Sequence, residues 1–157
     1  MRNRHRKRPR HPESSYLIFE GIYYVTLCTK YRQRLFGEVR QGQMCLNIAG
    51  AMVEQVWQCL PQEFPGLVLD EYIIMPDHLH GLLRGEVEQA VLLSHVIQHF
   101  KSVTTTNYIR GVRRGALMAF KRKVWQPGYY DHVVRDDADL QRIRRYIRNN
   151  PARWMSD

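Results

Sequence analysis

The sequence predicts an α+β fold built on an antiparallel β-sheet. Apolar runs of strand length lie at residues 23–29, 67–75 and 78–83, and only a short Pro-Asp turn separates the last two. Apolar residues at helical spacing mark longer segments between and after these runs. Strands joined by a tight turn pair antiparallel, and the intervening helices cover a face of the sheet.

The first half of the chain is predicted to begin with the strand at residues 23–29, followed by a loop that runs through Arg40. A short strand is one possibility near Met44. The first helix is expected from Asn47 to about Leu60, and the apolar residues on one of its faces are Ile48, Met52, Val56 and Trp57.

The second half is predicted to contain the two strands at residues 67–75 and 78–83 and then a helix from about Val91 to Ile109. A glycine-broken basic loop, a strand at 132–135 and a last helix follow. The order β-α-β-β-α-β plus a helix is the ferredoxin-like split βαβ plan, an antiparallel sheet with helices on one face. In this plan strand 78–83 is central, and its open side faces the C-terminal helix.

The size of the chain fits one domain. Its 157 residues with 44% hydrophobic content support a single core, and no Pro/Gly/Ser-rich linker or internal repeat divides them. We therefore expect a basic, flexible N-terminal arm over residues 1–15 and one domain over residues 16–157.

The cysteines and the hydropathy pattern indicate a cytoplasmic protein. Cys28, Cys45 and Cys59 are odd in number, lack zinc-site spacing and lie in apolar segments, which predicts free buried thiols in a reducing compartment. No apolar run is long enough to span a bilayer, and no apolar signal core follows the charged N-terminus. We expect neither secretion nor a membrane partner.

Two histidines occupy alternate positions of the predicted central strand. Because a strand alternates its faces, His78 and His80 point to one side of the sheet and Leu79 points to the other. Two adjacent imidazoles form half of a metal site. A partly exposed polar face is the alternative, and Asp77 either orients one imidazole or serves the turn.

The last helix presents a tyrosine and an amide on the same side. Leu140, Ile143 and Ile147 form its buried stripe, Asp136 is a good N-cap, and Pro151 is predicted to end the helix. Tyr146 lies at the border of the stripe, and Asn150 lies one turn later. Alternatively, Tyr146 is a tyrosine at the edge of the core and Asn150 is a capping residue.

The charge of the chain indicates a nucleic-acid partner. It has 24 Lys and Arg against 15 Asp and Glu, a formal net charge of +9. Basic clusters lie at residues 110–114 and 121–123 and along the last helix. The N-terminal arm concentrates further cations without an acid among them, namely Arg2, Arg4, Arg6, Lys7, Arg8 and Arg10. A solvated disordered tail that binds nothing is the alternative for this arm.

Several sequence strings, in this order, resemble one known family. They are residues 23–29 (YYVTLCT), 34–38 (RLFGE), 75–80 (MPDHLH), 100–102 (FKS), 125–126 (WQ), 129–132 (YYDH) and 146–151 (YIRNNP). Together they resemble the IS200/IS605-like single-tyrosine transposases of the HUH nuclease superfamily, and among these the REP-associated tyrosine transposases.

This resemblance implies specific roles for residues of the chain. His78 and His80 match the metal-binding histidines, and Tyr146 matches the nucleophilic tyrosine. IS200/IS605 enzymes carry a glutamine as third ligand at the position of Asn150. With an asparagine there, this chain resembles the REP-associated members more closely. The string around Lys101 lies beside the DNA in the family, which makes this lysine a candidate phosphate contact.

The implied activity is cleavage and rejoining of single-stranded, hairpin-forming DNA through a 5′-phosphotyrosine. Imidazole and oxygen ligands suit a divalent metal, Mg²⁺ or Mn²⁺. A phenol has an ordinary pKa of about 10, so the metal or the neighbouring Arg142 and Arg145 must favour the phenolate. A bacterial, nucleoid-associated protein is implied, with a homodimer as one possible assembly. The alternative is a domesticated relative that binds hairpin DNA or RNA without turnover.

Overall fold

A computed structural model describes residues 21–86 and 91–154 of the chain. Its strands are β1 (Ile22–Cys28), β2 (Gly37–Arg40), β3 (Gln43–Leu46), β4 (Leu67–Ile74), β5 (His78–Gly85) and β6 (Tyr130–Val133). Its helices are α1 (Ile48–Gln58), the short α2 (Leu60–Glu63), α3 (Leu93–Arg113) and α4 (Asp137–Arg153), and a 3₁₀ turn covers Lys30–Arg32. The predicted basic arm lies outside the described residues.

Four strands form an antiparallel sheet in the order β4-β5-β1-β6. The α+β prediction is thus confirmed, and the histidine strand β5 lies inside the sheet, as expected. β2 and β3 form a separate two-stranded hairpin. The predicted loop through Arg40 is wrong for Gly37–Arg40, which form β2, and the possible short strand near Met44 is confirmed as β3. Gln41 and Gly42 between them adopt positive φ angles of 51° and 73°, which suit a two-residue hairpin turn.

The main core lies between the sheet and helices α1 and α3. Leu79 and Leu83 of β5 point into this core and are fully buried together with Trp57 of α1 and Phe100 of α3. Gly81, between the two leucines, admits the indole of Trp57 so closely that a Cβ would lie 2.4 Å from Cζ2. Only a glycine fits here, because the indole occupies the space of a side chain.

Helix α4 covers the opposite face of the sheet. Leu140, Ile143 and Ile147 pack on Leu82 of β5, which confirms the predicted apolar stripe. Ion pairs reinforce this contact at the edge strand β4: Arg144 donates to both oxygens of Asp70, with Nε 2.8 Å from Oδ1, and Arg148 Nε donates to Glu71 over 2.9 Å. The helix that carries Tyr146 is therefore fixed on the sheet of its own chain.

The buried face of α1 differs from the predicted one. Asn47 caps the helix by accepting from the Gly50 amide, but Ile48 is 69% exposed. The fully buried positions are shifted by one residue, and Met52 and Val56 are only half-buried. The buried residues of the helix are Ala49, Gly50, Val53 and Trp57. Trp57 determines this face because its indole fills the space beside Gly81.

Two further expectations need correction. Pro151 lies inside α4, which continues to Arg153; a proline in the last turn removes a single backbone hydrogen bond, and Trp154 N closes the helix on the Pro151 carbonyl. The three cysteines are free, but Cys45 is exposed and the other two are half-buried. Cys45 lies on an exposed position of β3, in which burial alternates, whereas the next residue, Leu46, packs against the core. No helix in residues 21–86 or 91–154 has the length and hydropathy to cross a membrane.

Candidate active site

The two histidine rings of β5 lie side by side on the face that α4 covers. Their centroids are 4.6 Å apart with the ring planes at 72°, and both residues are buried. Each has a cross-strand neighbour on β1 that points to the same face: Cys28 lies opposite His78, and Thr26 lies opposite His80. The alternative of an exposed polar face is therefore wrong for these histidines.

His78 is oriented by the residue before it. Oδ1 of Asp77 lies 2.6 Å from Nδ1 of His78, and the same carboxylate accepts from Arg32, whose Nε is 3.0 Å from Oδ2. Burial would raise the pKa of Asp77, but the contacts with His78 and Arg32 outweigh it and hold the pKa below its ordinary value. A carboxylate at Nδ1 keeps the proton there and directs the lone pair of Nε2 away from it.

His80 is held by two hydroxyls of β1. Its Nδ1 lies 2.8 Å from the Tyr24 hydroxyl and 2.9 Å from Oγ1 of Thr26, and the Tyr24 ring stacks on the imidazole at 5.6 Å. Burial raises the pKa of Tyr24 strongly, so Tyr24 stays a neutral phenol. The structure thus occupies Nδ1 of both histidines with orienting groups.

Helix α4 brings Tyr146 and Asn150 to the histidines. The Tyr146 ring meets His80 edge-on with centroids 5.5 Å apart, and the tyrosine is 38% exposed. Asn150 is buried, with Oδ1 3.4 Å from Nε2 of His78. The guanidinium of Arg153 lies 5.2 Å from the Tyr146 ring centroid. The four residues that the sequence singled out for chemistry therefore meet at one place in a single chain.

The donor set fits a divalent cation. With the His78 proton on Nδ1, Nε2 of His78 and Oδ1 of Asn150 are two lone-pair donors that face each other across 3.4 Å. Such a pair repels unless a cation or a proton lies between its members. No cluster of three or more His, Cys, Asp or Glu suited to a metal occurs among the described residues. The third ligand here would be the amide oxygen of Asn150.

The predicted DNA contacts are dispersed in the structure. Arg142 donates to Asp139, which also lies 2.8 Å from Nε2 of His132; the hydrogen bonds with His132 and Arg142 lower the pKa of Asp139. Arg145 is exposed on α4 next to Tyr146. Nζ of Lys101 donates to the backbone carbonyls of Gln126 and Gly128. Arg2, Arg4, Arg6, Lys7 and Arg8 lie outside the described residues.

Four residues around the site were not predicted from the sequence. Tyr24 and Thr26 alternate on β1 and so share a face, but only the pairing with β5 shows that this face carries the histidines. Arg32 reaches Asp77 because Tyr31 and Arg32 adopt left-handed φ angles of 57° and 53°, which neither residue type signals. The side chain of Trp154 adds a ring 6.2 Å from that of His78.

Three comparisons bear on this arrangement. The sequence profile described as "Transposase IS200 like" matches residues 18–150. An uncharacterised protein of Haemophilus influenzae (strain Rd) is 36% identical over 152 residues, covering 88% of this chain and 84% of the relative.

The fold is similar to two solved structures. One is a REP-associated tyrosine transposase bound to a REP hairpin, with a TM-score of 0.62 and 18% identity over 92% of this chain and 72% of that one. The other is a predicted transposase from Deinococcus radiodurans R1, with a TM-score of 0.55 and 19% identity over 90% of this chain and 97% of that one.

Proposed function

The chain belongs to the family of IS200-like transposases, and on that premise we propose that it cleaves and rejoins single-stranded, hairpin-forming DNA with Tyr146 as nucleophile. One observation carries this proposal. Tyr146 lies edge-on to His80 while Asn150, one turn further along α4, faces His78. A nucleophile and three potential metal ligands thus converge from two elements of the same chain.

The reaction exchanges one phosphodiester for another. The Tyr146 oxygen attacks the phosphorus, the bond to the 3′-oxygen breaks, and the phenol proton ends on the released 3′-hydroxyl. Attack of another 3′-hydroxyl on the phosphotyrosine reverses these changes and joins a new strand. Because the bond energy is retained in the phosphotyrosine, rejoining needs no nucleotide cofactor.

The residues around Tyr146 would favour this attack through positive charge and through the orientation of the proposed metal ligands. A divalent cation, Mg²⁺ or Mn²⁺, bound by His78, His80 and Asn150 would supply the positive charge that an attacked phosphodiester requires. Asp77 orients His78, and Tyr24 with Thr26 orients His80, so that Nε2 of each ring would be the atom that holds the cation. Exposed Arg145 and the ring contact of Arg153 place positive charge beside the phenol.

The proposed substrate class rests on charge and on the fold. The formal net charge of +9 favours a polyanion, and the similar REP-associated transposase is bound to a REP hairpin. We propose a DNA hairpin with single-stranded flanks as the partner, bound with help from the N-terminal arm, Lys101 and Arg145.

A labelled oligonucleotide tests the proposal. The full chain is incubated with Mn²⁺ and hairpin oligonucleotides that carry single-stranded flanks and a 3′-terminal fluorophore. A 5′-phosphotyrosine transfers the labelled fragment to the protein, so a fluorescent band that survives denaturation should appear. Peptide mapping should place the nucleotide on Tyr146.

Two variants make the assay decisive. Tyr146→Phe removes one oxygen, so stability should change by less than about 0.5 kcal/mol while the adduct and cleavage vanish and hairpin binding remains. Tyr130→Phe alters another exposed tyrosine and should keep full activity. Mapping to another residue would refute the nucleophile. Cleavage without an adduct would indicate a hydrolytic nuclease, and hairpin binding without cleavage would indicate the domesticated binder.

A further inference from the structure

Two segments that are distant in sequence form a rigid joint beside the histidines. Nε2 of Gln33 donates to the carbonyls of Lys30 and Lys121 over 2.7 and 3.1 Å, and its Oε1 accepts from the Lys121 amide over 2.6 Å. The Lys30 amide donates to the Val124 carbonyl over 2.9 Å. The side chains of this joint define a basic turn surface, which comprises Lys30, Tyr31, Lys121, Arg122 and Lys123.

The backbone of this surface is strained. Tyr31, Arg32 and Arg122 adopt φ angles of 57°, 53° and 62°, and they account for all but one of the non-glycine residues with positive φ in the described parts of the chain. L-residues avoid this region unless surrounding contacts impose it, and such strain concentrates at functional sites. The Gln33 contacts hold the backbone immediately before Tyr31 and before Arg122, at Lys30 and Lys121.

The Tyr31 ring is a fixed, exposed aromatic surface. Tyr31 is 55% exposed, its hydroxyl accepts from Nη1 of Arg122 over 3.3 Å, and Nζ of Lys30 lies 5.0 Å from the ring centroid. More than half of this residue is open to solvent, so the ring is accessible to a ligand. With cations at its face and at its hydroxyl, it suits a ligand that combines a planar ring with negative charge.

The surroundings of this surface are basic. Residues 91–130 contain no Asp or Glu, and none of the Lys and Arg side chains of the surface has a carboxylate partner within the described chain. Three of the five arginines of α4 differ: Arg142, Arg144 and Arg148 each donate to a carboxylate of this chain. Much of the charge of α4 is therefore neutralised internally, whereas the charge of the basic turn surface is available to a polyanion.

The surface is also connected to the proposed active site. Arg32 follows Tyr31 directly and contacts the carboxylate of Asp77, which holds His78. In addition, the Thr29 amide donates to the Asp77 carbonyl over 2.9 Å. Two contacts, through Arg32 and Thr29, therefore join the basic turn surface to the residue that holds His78.

We propose that the basic turn surface binds the unpaired nucleotides that flank the scissile phosphate, with one base stacked on Tyr31. The cations at residues 121–123 contact the phosphates of the same segment. This inference rests on the proposed action on DNA and adds where the single-stranded flank lies. A stacking surface accepts any base, so it contributes affinity for unpaired strands and little sequence preference.

Binding without catalysis tests the inference. The full-length chain is titrated with fluorescein-labelled dT12 and with a 12-base-pair duplex in EDTA, so that neither metal nor covalent chemistry contributes. Tyr31→Ala should weaken dT12 binding at least about fivefold and leave the duplex within about twofold. Tyr31→Phe, which keeps the ring, should bind dT12 like the wild type. Replacing Lys121 and Lys123 together by Ala should lower the slope of log K against log salt by about 1.4.

Controls separate this result from misfolding and from the proposed chemistry. Arg40→Ala removes an exposed cation of the β2–β3 hairpin, outside the basic turn surface, and should change dT12 affinity less than the Lys121 and Lys123 replacements. If Tyr31→Ala unfolds, Tyr31→Leu replaces it, and quenching of a 2-aminopurine base within dT12 by wild type but not by Tyr31→Leu is expected. Unchanged dT12 affinity in a folded Tyr31→Ala protein, or equal loss for duplex and single strand, overturns the inference. The Tyr146 adduct is assayed separately, so either idea can fail alone.

Discussion

Oδ1 of Asn150 lies 3.4 Å from Nε2 of His78, although the two residues are 72 positions apart in the chain. The contact joins the last turns of α4 to the beginning of β5. It brings the helix that carries Tyr146 into register with the histidine strand, because Tyr146 lies one turn before Asn150 on the same side of the helix. The predicted consequences concern the metal, the attachment of α4 and the DNA.

Asn150→Ala should raise the Mn²⁺ concentration for half-maximal cleavage at least about tenfold. Removal of a residue that merely orients a ligand lowers metal affinity roughly 10- to 100-fold, and loss of a ligand itself should lower it at least as much. Asn149→Ala is the matched control, because Asn149 is exposed on the same helix. Cleavage assays across a Mn²⁺ titration measure the shift. Equal Mn²⁺ dependence of both variants would exclude Asn150 as a ligand.

His78→Ala or His80→Ala should abolish metal-dependent cleavage and leave hairpin binding largely intact, because binding depends on many phosphate contacts and chemistry on the metal. His95→Ala, on an exposed position of α3, serves as control and should retain activity. Cleavage gels and binding isotherms on the same preparations separate the two properties. Wild-type cleavage rates in either variant would remove the basis of the metal assignment.

Asp77→Asn keeps the size of the side chain but withdraws the negative charge from Nδ1 of His78. Metal affinity should fall about 10- to 100-fold. Glu38→Gln is a suitable comparison, because Glu38 also accepts from an arginine but touches no imidazole. Calorimetric titration with Mn²⁺ measures both variants. If they lose affinity equally, the effect comes from general charge and not from orientation of His78.

The ion pair between Arg144 and Asp70 should make the docking of α4 sensitive to acid. The hydrogen bond from Arg144 lowers the pKa of Asp70 below its ordinary value. The contribution to folding is therefore complete above the unfolded-state pKa of about 3.9 and is lost as the pH falls through the folded-state pKa.

Asp70→Asn should lower the free energy of unfolding by about 1 kcal/mol at pH 7, and the difference should shrink at pH 3. Urea unfolding at both pH values measures it. Glu38→Gln breaks the exposed pair with Arg40 and should have little effect at either pH. A difference that is the same at pH 7 and pH 3 would show that the pair does not act through its charge.

Deletion of residues 1–10 should weaken DNA binding across all sequences and flatten its salt dependence, because a basic arm neutralises phosphates. Binding isotherms for several hairpins at increasing salt test this. Should sequence preference collapse while the salt slope stays constant, the arm reads bases and the prediction is wrong.

The fold and the shared face of the two candidate histidines could be predicted because their signals are local. Alternation around Leu79 places both histidines on one face, and the spacing of Leu140, Ile143 and Ile147 fixes which side of α4 carries Tyr146. The predicted N-cap of α4 is confirmed for the same reason: the side chain of Asp136 accepts from the Asp139 amide.

The remaining features depend on contacts between distant segments. The buried face of α1 is set by the fit of Trp57 against Gly81, so Ile48 could not be placed from helical spacing alone. Arg142 was predicted as a DNA contact, but its charge is paired with Asp139 in the folded chain, which the sequence alone does not show. Left-handed Tyr31 has no sequence signature, because neither glycine nor asparagine marks the position.

The contact between Gly81 and Trp57 has a consequence for how the histidines are aligned. A slip of β5 by one residue would exchange its two faces and turn a neighbouring side chain toward the indole, where even a Cβ has no room. The contact with Trp57 on the core face of the sheet thus disfavours misaligned pairing of β5 with its neighbours, although the histidines lie on the other face. Replacement of this glycine should therefore be as damaging as loss of a proposed ligand, although Gly81 faces away from the candidate site.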